Sequence, residues 1–235
     1  MRRVVAALRW EVTVQARHQF YAVTALVTLV WVVLLRLLPE VVREHPASLV
    51  PLFVLVNLQM TAFYFAAALM LLEKGQGVVA SLLTSPLRPG EYLWVKALTL
   101  ALLGAAEHIA IVRLVFGPEQ GWGLLLLGAS LLSILYVFLG LAVVARHAGI
   151  NTFLIPSIGW IALFTLPLLG FYELLPRWAF AWHPMMPSLV LLEGSSRPIS
   201  MALVAYGVLG SAGWCAAAFL WARYQLVHRV APAAA

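Results

Sequence analysis

Two adjacent ionisable residues, Glu107 and His108, lie inside a long apolar run and are the residues best suited to acid–base chemistry. A charge near the middle of a lipid bilayer costs at least about 2.5 kcal/mol on insertion scales. Glu107 is therefore expected to be protonated, paired with another helix or turned toward water. A proton relay, recognition of a cationic compound and a structural ion pair are all compatible with this pair of residues.

A second set of polar residues follows a helical spacing in an earlier apolar run. Asn57, Thr61 and Tyr64 occur at positions i, i+4 and i+7, which places them on one face of an α-helix. We expect this face either to line a cavity or to form hydrogen bonds between helices, which are common in membrane bundles. Gln59 lies about 200° around the same helix from Asn57 and must face something else.

The chain lacks the residue patterns of metal and nucleotide sites. It has one cysteine, Cys215, no aspartate and no HExxH motif, so neither a cysteine-rich metal site nor a zinc hydrolase is expected. Lys74 and Lys96 are its only lysines, and neither follows the glycine-rich loop that holds nucleotide phosphates. The sequence therefore predicts a chain that is not itself an enzyme and has no cofactor of its own.

The composition indicates that most of the chain lies in lipid. Of the 235 residues, 63% are hydrophobic and only 10% are charged, whereas soluble domains carry about 25% charged residues. The net charge of +6 is better explained by loops that face anionic lipid than by nucleic-acid binding. Each apolar run is long enough to cross a hydrocarbon core of about 30 Å.

The apolar runs predict an all-α integral membrane protein, organised as one domain over residues 1–235. Residues 1–18 mix arginines with apolar residues and predict an amphipathic helix that lies at the membrane surface. Six transmembrane helices are expected at about residues 20–38, 48–72, 92–116, 122–144, 152–171 and 199–222.

The distribution of basic residues predicts the orientation of these helices. If the N-terminus is cytoplasmic, ten Lys and Arg residues fall on the cytoplasmic side and five on the other. Because cytoplasmic loops carry the excess of basic residues, both termini are expected inside the cell.

Two connections have patterns that simple loops do not have. Residues 74–91 contain a short amphipathic stretch between glycines and prolines, which predicts a helix that projects below the membrane. It could dock in a groove of a partner or contact only lipid. Residues 172–198 are apolar, aromatic and interrupted by prolines, and they predict two short helices that dip into the outer leaflet.

The connection around residues 74–91 carries a recognisable motif. It resembles the E-x-x-x-G-x-x-x-x-L-L-x-S-P-L-x-x-x-E-Y-x-x-x-K run of the type-2 ABC transporter permease family, and most resembles its fluoroquinolone-exporter permeases. The basic opening at residues 8–21 and the proline-rich stretch at residues 182–194 fit the same resemblance. The matching residues are Glu73, Gly77, Leu82, Leu83, Ser85, Pro86, Leu87, Glu91, Tyr92 and Lys96.

The resemblance implies a permease subunit of an ABC exporter in the bacterial inner membrane. The segment 74–91 would then be the coupling helix that docks on a separate ATPase, which would be present in two copies and would hold ATP and Mg. Residues 1–18 would be the connecting helix, and Glu73, Lys74 and Lys96 would fix the coupling helix at the membrane surface. Since family members work as pairs, a second permease copy or a sister permease is also implied.

The expected substrate is an amphipathic drug-like or lipid-like compound that is moved out of the cell. Asn57, Thr61, Tyr64, Glu107 and His108 are the candidates for its pathway. A haem-exporter-like permease subunit is one alternative. A membrane scaffold that transports nothing, or an intramembrane enzyme centred on Glu107 and His108, is another.

Overall fold

A computed structural model describes residues 2–78, 87–118 and 121–230, and this part of the chain is helical without strands. Six of its helices are long and apolar enough to span a membrane, which confirms the predicted all-α membrane architecture. The six spans are α2, α4, α5, α6, α7 and α9. The helices in chain order are α1 (Arg2–Arg17), α2 (Phe20–Leu37), α3 (Glu40–Arg43), α4 (Pro46–Gly75), α5 (Pro89–Phe116), α6 (Trp122–Val144), α7 (Ile150–Phe171), a 3-10 turn (Arg177–Phe180), α8 (Met186–Glu193) and α9 (Met201–Val230).

The two ends of the bundle are distinguished by the segments that meet there. The basal end holds α1, the end of α4, the start of α5 and the end of α9, and the distal end holds the connection from residue 172 to residue 200. The last span extends further toward the basal end than the predicted limit at residue 222. It continues because Leu226 and Val230 face the protein interior, while Arg223 and Arg229 on the other side of the helix are exposed.

Helix α6 forms the centre of the bundle and packs against α4, α5, α8 and α9. Gly140 is the residue that permits its closest approach to α4. A Cβ atom at this position would lie 2.5 Å from the carbonyl oxygen of Phe63, well inside van der Waals contact. Small residues at such crossings allow two backbones to meet without an intervening side chain.

Helix α4 changes its winding halfway along its length. Residues Gln59–Tyr64 form a π-helical segment between two α-helical halves. Such wide turns alter the angular relation between residues on either side. Gln59, which was expected to face away from Asn57, donates hydrogen bonds to Tyr136 on α6 (3.3 Å) and to Thr165 on α7 (3.1 Å).

The distal connection contains the two short helices that the sequence predicts, the 3-10 turn and α8. The residues of α8 are buried among α4, α6 and α9. Gly207 on α9 makes room for this helix, since a Cβ atom there would lie 2.6 Å from Leu191. Glu193 at the end of α8 pairs with Arg177 (2.6 Å) and with Arg197. These ion pairs link the 3-10 turn, α8 and the residues that lead into α9. Its immersion in the outer leaflet stays a prediction.

Candidate functional site

A buried ion cluster lies at the basal end, where three separate parts of the chain meet. The ammonium group of Lys96 on α5 lies 3.0 Å from both carboxylate oxygens of Glu11 on α1. It also lies 2.8 Å from Glu73 in the last turns of α4. Lys96 is completely buried, and both carboxylates are nearly so. The cluster therefore joins α1, α4 and α5 at the point where the 74–91 segment leaves the bundle.

Neighbouring polar groups complete this cluster. Tyr92 lies one helical turn before Lys96 on the same face of α5, and its hydroxyl donates a 2.5 Å hydrogen bond to Glu73. Gln15 lies one turn after Glu11 on α1 and donates to the hydroxyl of Thr99 at 2.8 Å. Buried charges persist only when such partners compensate for lost hydration. The arrangement fixes the rotation of α1 relative to α5.

Lys74 follows Glu73 directly in the sequence but binds a different helix, α6, because successive residues of an α-helix point about 100° apart. Its ammonium group donates to the carbonyl oxygens of Ala145 (3.0 Å) and His147 (3.1 Å), with Val144 slightly farther at 3.4 Å. These carbonyls lie at and just beyond the C-terminus of α6, where a helix leaves backbone acceptors without partners and carries partial negative charge. Lys74 therefore caps α6 from a neighbouring helix.

The two ends of the 74–91 segment are anchored to the bundle. Gly77 has a left-handed backbone conformation (φ +69°), which a glycine adopts without strain, and it directs the chain away from α4. On the return, Glu91 accepts a hydrogen bond from the backbone of Arg88 (2.8 Å) and pairs with Arg3 of α1 (2.8 Å). The segment thus leaves and rejoins the bundle at defined points.

The predicted tip of this segment cannot be described. The motif residues Leu82, Leu83, Ser85 and Pro86 fall within residues 79–86, which lie outside the described residues. Leu87 follows them and is half-buried. The helix predicted there, and its role in docking, stay predictions.

Several residues of the basal cluster were not found by sequence reasoning. Glu11 and Gln15 lie in the opening at residues 8–21 that fits the resemblance but were not singled out there, and Thr99 belongs to no motif; Glu11 is the only acidic residue before position 40. That isolation is the one signal in the sequence that could have drawn attention to it. The acceptors of Lys74 had no signal at all, because they are backbone carbonyls.

Four of the five intramembrane candidates lie in a separate polar region between α4 and α5: Asn57, Thr61, Glu107 and His108. The ring of His108 accepts from or donates to Asn57 at 3.3 Å through Nε2, and its Nδ1 contacts the carbonyl of Gly104 at 2.6 Å. Since that carbonyl can only accept, Nδ1 carries a proton and Nε2 of the neutral ring accepts from the Asn57 amide. Thr61 donates to the backbone carbonyl of Asn57. These residues are buried in helix packing.

Glu107 is buried next to this cluster without an ionic partner. Its side chain is 3% exposed, and within the described parts of the chain neither carboxylate oxygen has a hydrogen-bond partner. The oxygen of the Asn57 amide is also unpartnered in this environment. The structural ion pair, one of the three interpretations, is therefore not present among the described residues. An ionised carboxylate would be costly here, because burial removes its hydration and no cation lies beside it in the described parts of the chain.

Tyr64 does not share the face of Asn57 and Thr61, so that expectation is wrong. Its hydroxyl lies 3.0 Å from the hydroxyl of Ser157 on α7, whereas Asn57 faces α5. The physical reason is the π-helical segment, which ends at Tyr64 and rotates it away from the position that regular α-helical spacing would give. The five intramembrane candidates therefore divide between two helix interfaces and do not line one common cavity.

Comparison with known proteins covers almost the whole chain. The sequence profile of the fluoroquinolones export permease protein family matches residues 2–232. Two fluoroquinolones export permease proteins of Mycobacterium tuberculosis, from strains CDC 1551 and H37Rv, are each 26% identical to this chain over 232 residues. Each alignment covers 95% of this chain and 97% of the relative. The similarity therefore extends from α1 to the end of α9 and includes both clusters.

Proposed function

The chain belongs to the fluoroquinolones export permease protein family, and from this premise we propose that it is a permease subunit of an ABC exporter powered by a separate ATPase. Family membership supports a transport subunit over a scaffold or an intramembrane enzyme centred on Glu107 and His108. The sequence has no phosphate-binding loop, so the proposed energy source is ATP bound with Mg on the partner. Two ATPase copies and a second permease, identical or related, would complete the exporter.

The observation that carries this proposal is the attachment of the 74–91 segment to the spans. At its root, Glu73 binds Lys96 on α5, and the next residue, Lys74, binds the end of α6. A displacement of the segment would therefore reach α4, α5 and α6 directly, and α1 through Glu11. This is the mechanical connection that a permease without its own ATPase requires.

The basal end is proposed to face the cytoplasm, where an ATPase could reach it. Arg3, Arg9 and Arg17 of α1 lie on this end, in keeping with the excess of basic residues on cytoplasmic surfaces. The proposed setting is the bacterial inner membrane. An amphipathic planar compound is the proposed substrate class, because the two relatives are named for the export of fluoroquinolones.

The test is to express the chain together with the ABC ATPase encoded nearest to its gene and to measure copurification and ATP-driven export. We expect Leu82→Glu to reduce ATPase association and export at least tenfold while insertion into the membrane persists. The reason is that a charge on the apolar face of the predicted coupling helix would oppose its docking on the ATPase. Val41→Glu is the matched control, because Val41 is an exposed apolar residue in the distal loop between α2 and α4, away from the 74–91 segment. Normal association and export by Leu82→Glu would contradict the proposed coupling role.

A further inference from the structure

An aromatic cavity lies between α6, α7 and α9, apart from both polar clusters. It has a volume of about 340 Å³, within the usual range of small-molecule sites of about 300–1,000 Å³. Four of the nine tryptophans of the chain contribute to its wall: Trp160, Trp182, Trp214 and Trp221. The residues that line it include no Asp, Glu, Lys or Arg.

Two of these tryptophans lie near the middle of their spans, away from the membrane surfaces where tryptophan is enriched. Tryptophan is enriched at the two membrane surfaces, where its ring meets the headgroups. Trp160, however, is ten residues from the start of α7 and eleven from its end, and Trp214 is near the middle of α9. An interfacial belt explains Trp182 at the distal end, but it does not explain Trp160 or Trp214.

The packing of α7 accounts for the space. The backbone of Ile150–Thr165 makes few close contacts with the neighbouring helices. Large aromatic side chains lie between it and those helices. The rings of Trp160 and Trp221 bridge α7 and α9 with centroids 5.6 Å apart and planes tilted by 44°. Phe164 lies 5.9 Å from Trp160 on the same wall. The rings therefore enclose the cavity without filling it.

The single titratable side chain on this wall contributes no charge near neutral pH. His183 is buried, and its Nδ1 accepts a 3.3 Å hydrogen bond from the backbone of Met185. Burial lowers the pKa of His183 below its ordinary value of 6.5, so the neutral ring predominates at pH 7. A ligand would meet flat, uncharged and almost entirely apolar surfaces.

We propose that this cavity binds one planar aromatic molecule that enters from the membrane, with its ring system stacked against Trp160 and Trp214. The inference rests on the proposed function, because it assigns a site to the substrate class named there. Aromatic pairs contribute roughly 0.5–1.5 kcal/mol beyond the area that they bury, which an acyl chain cannot gain. A lipid chain would need only leucine-like walls, so the concentration of indole rings favours a planar ligand.

The experiment measures equilibrium binding of norfloxacin to the purified chain in lipid nanodiscs, without ATPase. Trp160→Leu combined with Trp214→Leu keeps an apolar wall but removes two ring faces, and we expect norfloxacin binding at least tenfold weaker. Trp31→Leu is the matched control, because Trp31 packs against Phe53 outside the cavity, and its binding is expected within twofold of the unaltered chain. Equal binding by the double variant and the unaltered chain would overturn the proposal.

A second measurement keeps the proposal testable if the double variant does not fold. A photoreactive quinolone is crosslinked to the unaltered chain, and labelled peptides are identified by mass spectrometry. Label on α6, α7, α9 or residues 182–184 supports the site, and label confined to other segments overturns it. Nanodiscs with brominated acyl chains test the lipid alternative through tryptophan fluorescence. Quenching that disappears in the double variant and that norfloxacin does not relieve in the unaltered chain would show that lipid occupies the cavity, and would overturn the proposal. Because no ATPase is present, failure here leaves the copurification result, and hence the proposed function, unaffected.

Discussion

Lys96 is the one cation in the buried basal cluster of the described residues, and two carboxylates depend on it. Lys96→Met would leave Glu11 and Glu73 close together without a countercharge. Removing one partner of a buried ion pair costs about 3–5 kcal/mol. We therefore expect this variant to lose about that much unfolding free energy, measured by denaturant or thermal unfolding in detergent.

A combined variant separates the charge effect from the loss of packing. Lys96→Met together with Glu11→Gln and Glu73→Gln removes all three charges, so no uncompensated ion stays buried. Most of the lost stability is expected to return, since neutral replacements of buried ion pairs are often tolerated. A Lys96→Met protein as stable as the unaltered chain would show that the cluster does not hold α1, α4 and α5 together.

Neutralising Glu107 is expected to have the opposite effect on stability from neutralising Lys96, because no cation faces Glu107 within the described residues. Glu107→Gln keeps the shape of the side chain and cannot ionise, so stability at pH 7 should stay within about 1 kcal/mol of the unaltered chain or rise. Glu107→Lys places an unpaired ammonium group in the same apolar packing and should destabilise strongly. Thermal unfolding of both variants checks this. Equal damage by both would indicate that Glu107 is ionised and paired in the membrane, for example by a second permease.

At the scale of single residues, the sequence predicts which residues belong to the site better than it predicts the residues that they contact. Tyr92 and Lys96 are singled out by the motif, and they do meet Glu73 at the basal end. The second partner of Lys96, Glu11, could not be predicted because its position depends on how α1 rotates against α5. Hydrogen bonds to backbone carbonyls, such as those of Lys74, leave no trace in side-chain patterns.

At the scale of elements, the contact between α4 and α6 through Lys74 gives a local prediction. Lys74→Met removes the donor that caps the C-terminus of α6, where carbonyl oxygens otherwise lack partners. We expect faster amide hydrogen exchange in residues 141–149, with a modest loss of stability of about 1–2 kcal/mol. Lys74→Arg, which keeps a donor cation, is the control and should exchange nearly as slowly as the unaltered chain. Unchanged exchange in Lys74→Met would mean that the cap has no structural role.

Helix positions were predictable because lipid imposes a minimum apolar length on each span. The limits of α6 agree with the apolar run at residues 122–144. The winding within a helix was not predictable in the same way. Regular α-helical spacing placed Tyr64 beside Asn57, but the π-helical segment turns Tyr64 toward Ser157. Packing against Gly140 and Tyr136 decides that winding, and those contacts are distant in sequence.

At the scale of the whole molecule, the proposed orientation can be tested with single cysteines. Cys215 is buried and is first replaced by alanine. Arg9→Cys and Glu44→Cys then place exposed thiols at the basal and distal ends, respectively. In intact cells, an impermeant thiol reagent is expected to label only Glu44→Cys, and inside-out vesicles should reverse the result. Labelling of Arg9→Cys in intact cells would place the basal end outside.

Three spans expose much of their apolar surface, which bears on assembly. Within the 18-residue apolar stretch of each span, only 17% of α2, 22% of α9 and 33% of α7 is buried in the chain, against 67% of α4 and of α6. Apolar surface of this extent is covered by lipid or by another membrane helix. The proposed second permease therefore has ample surface on which to pack.

The wide turn at Gln59–Tyr64 makes the number of residues in α4 matter as much as their chemistry. Each residue of an α-helix advances the chain by about 100°. A π-helical turn holds about one residue more than an α-helical turn, so loss of one residue there, such as the outward-facing Met60, would restore regular winding with Asn57 and Glu73 still in place. Loss of one residue from the regular turns at positions 65–72 would instead rotate Asn57 and its contact with His108 relative to Glu73 and Lys74. Related chains are therefore expected to differ in length at the π-helical segment and to keep the length of the α-helical turns that follow it.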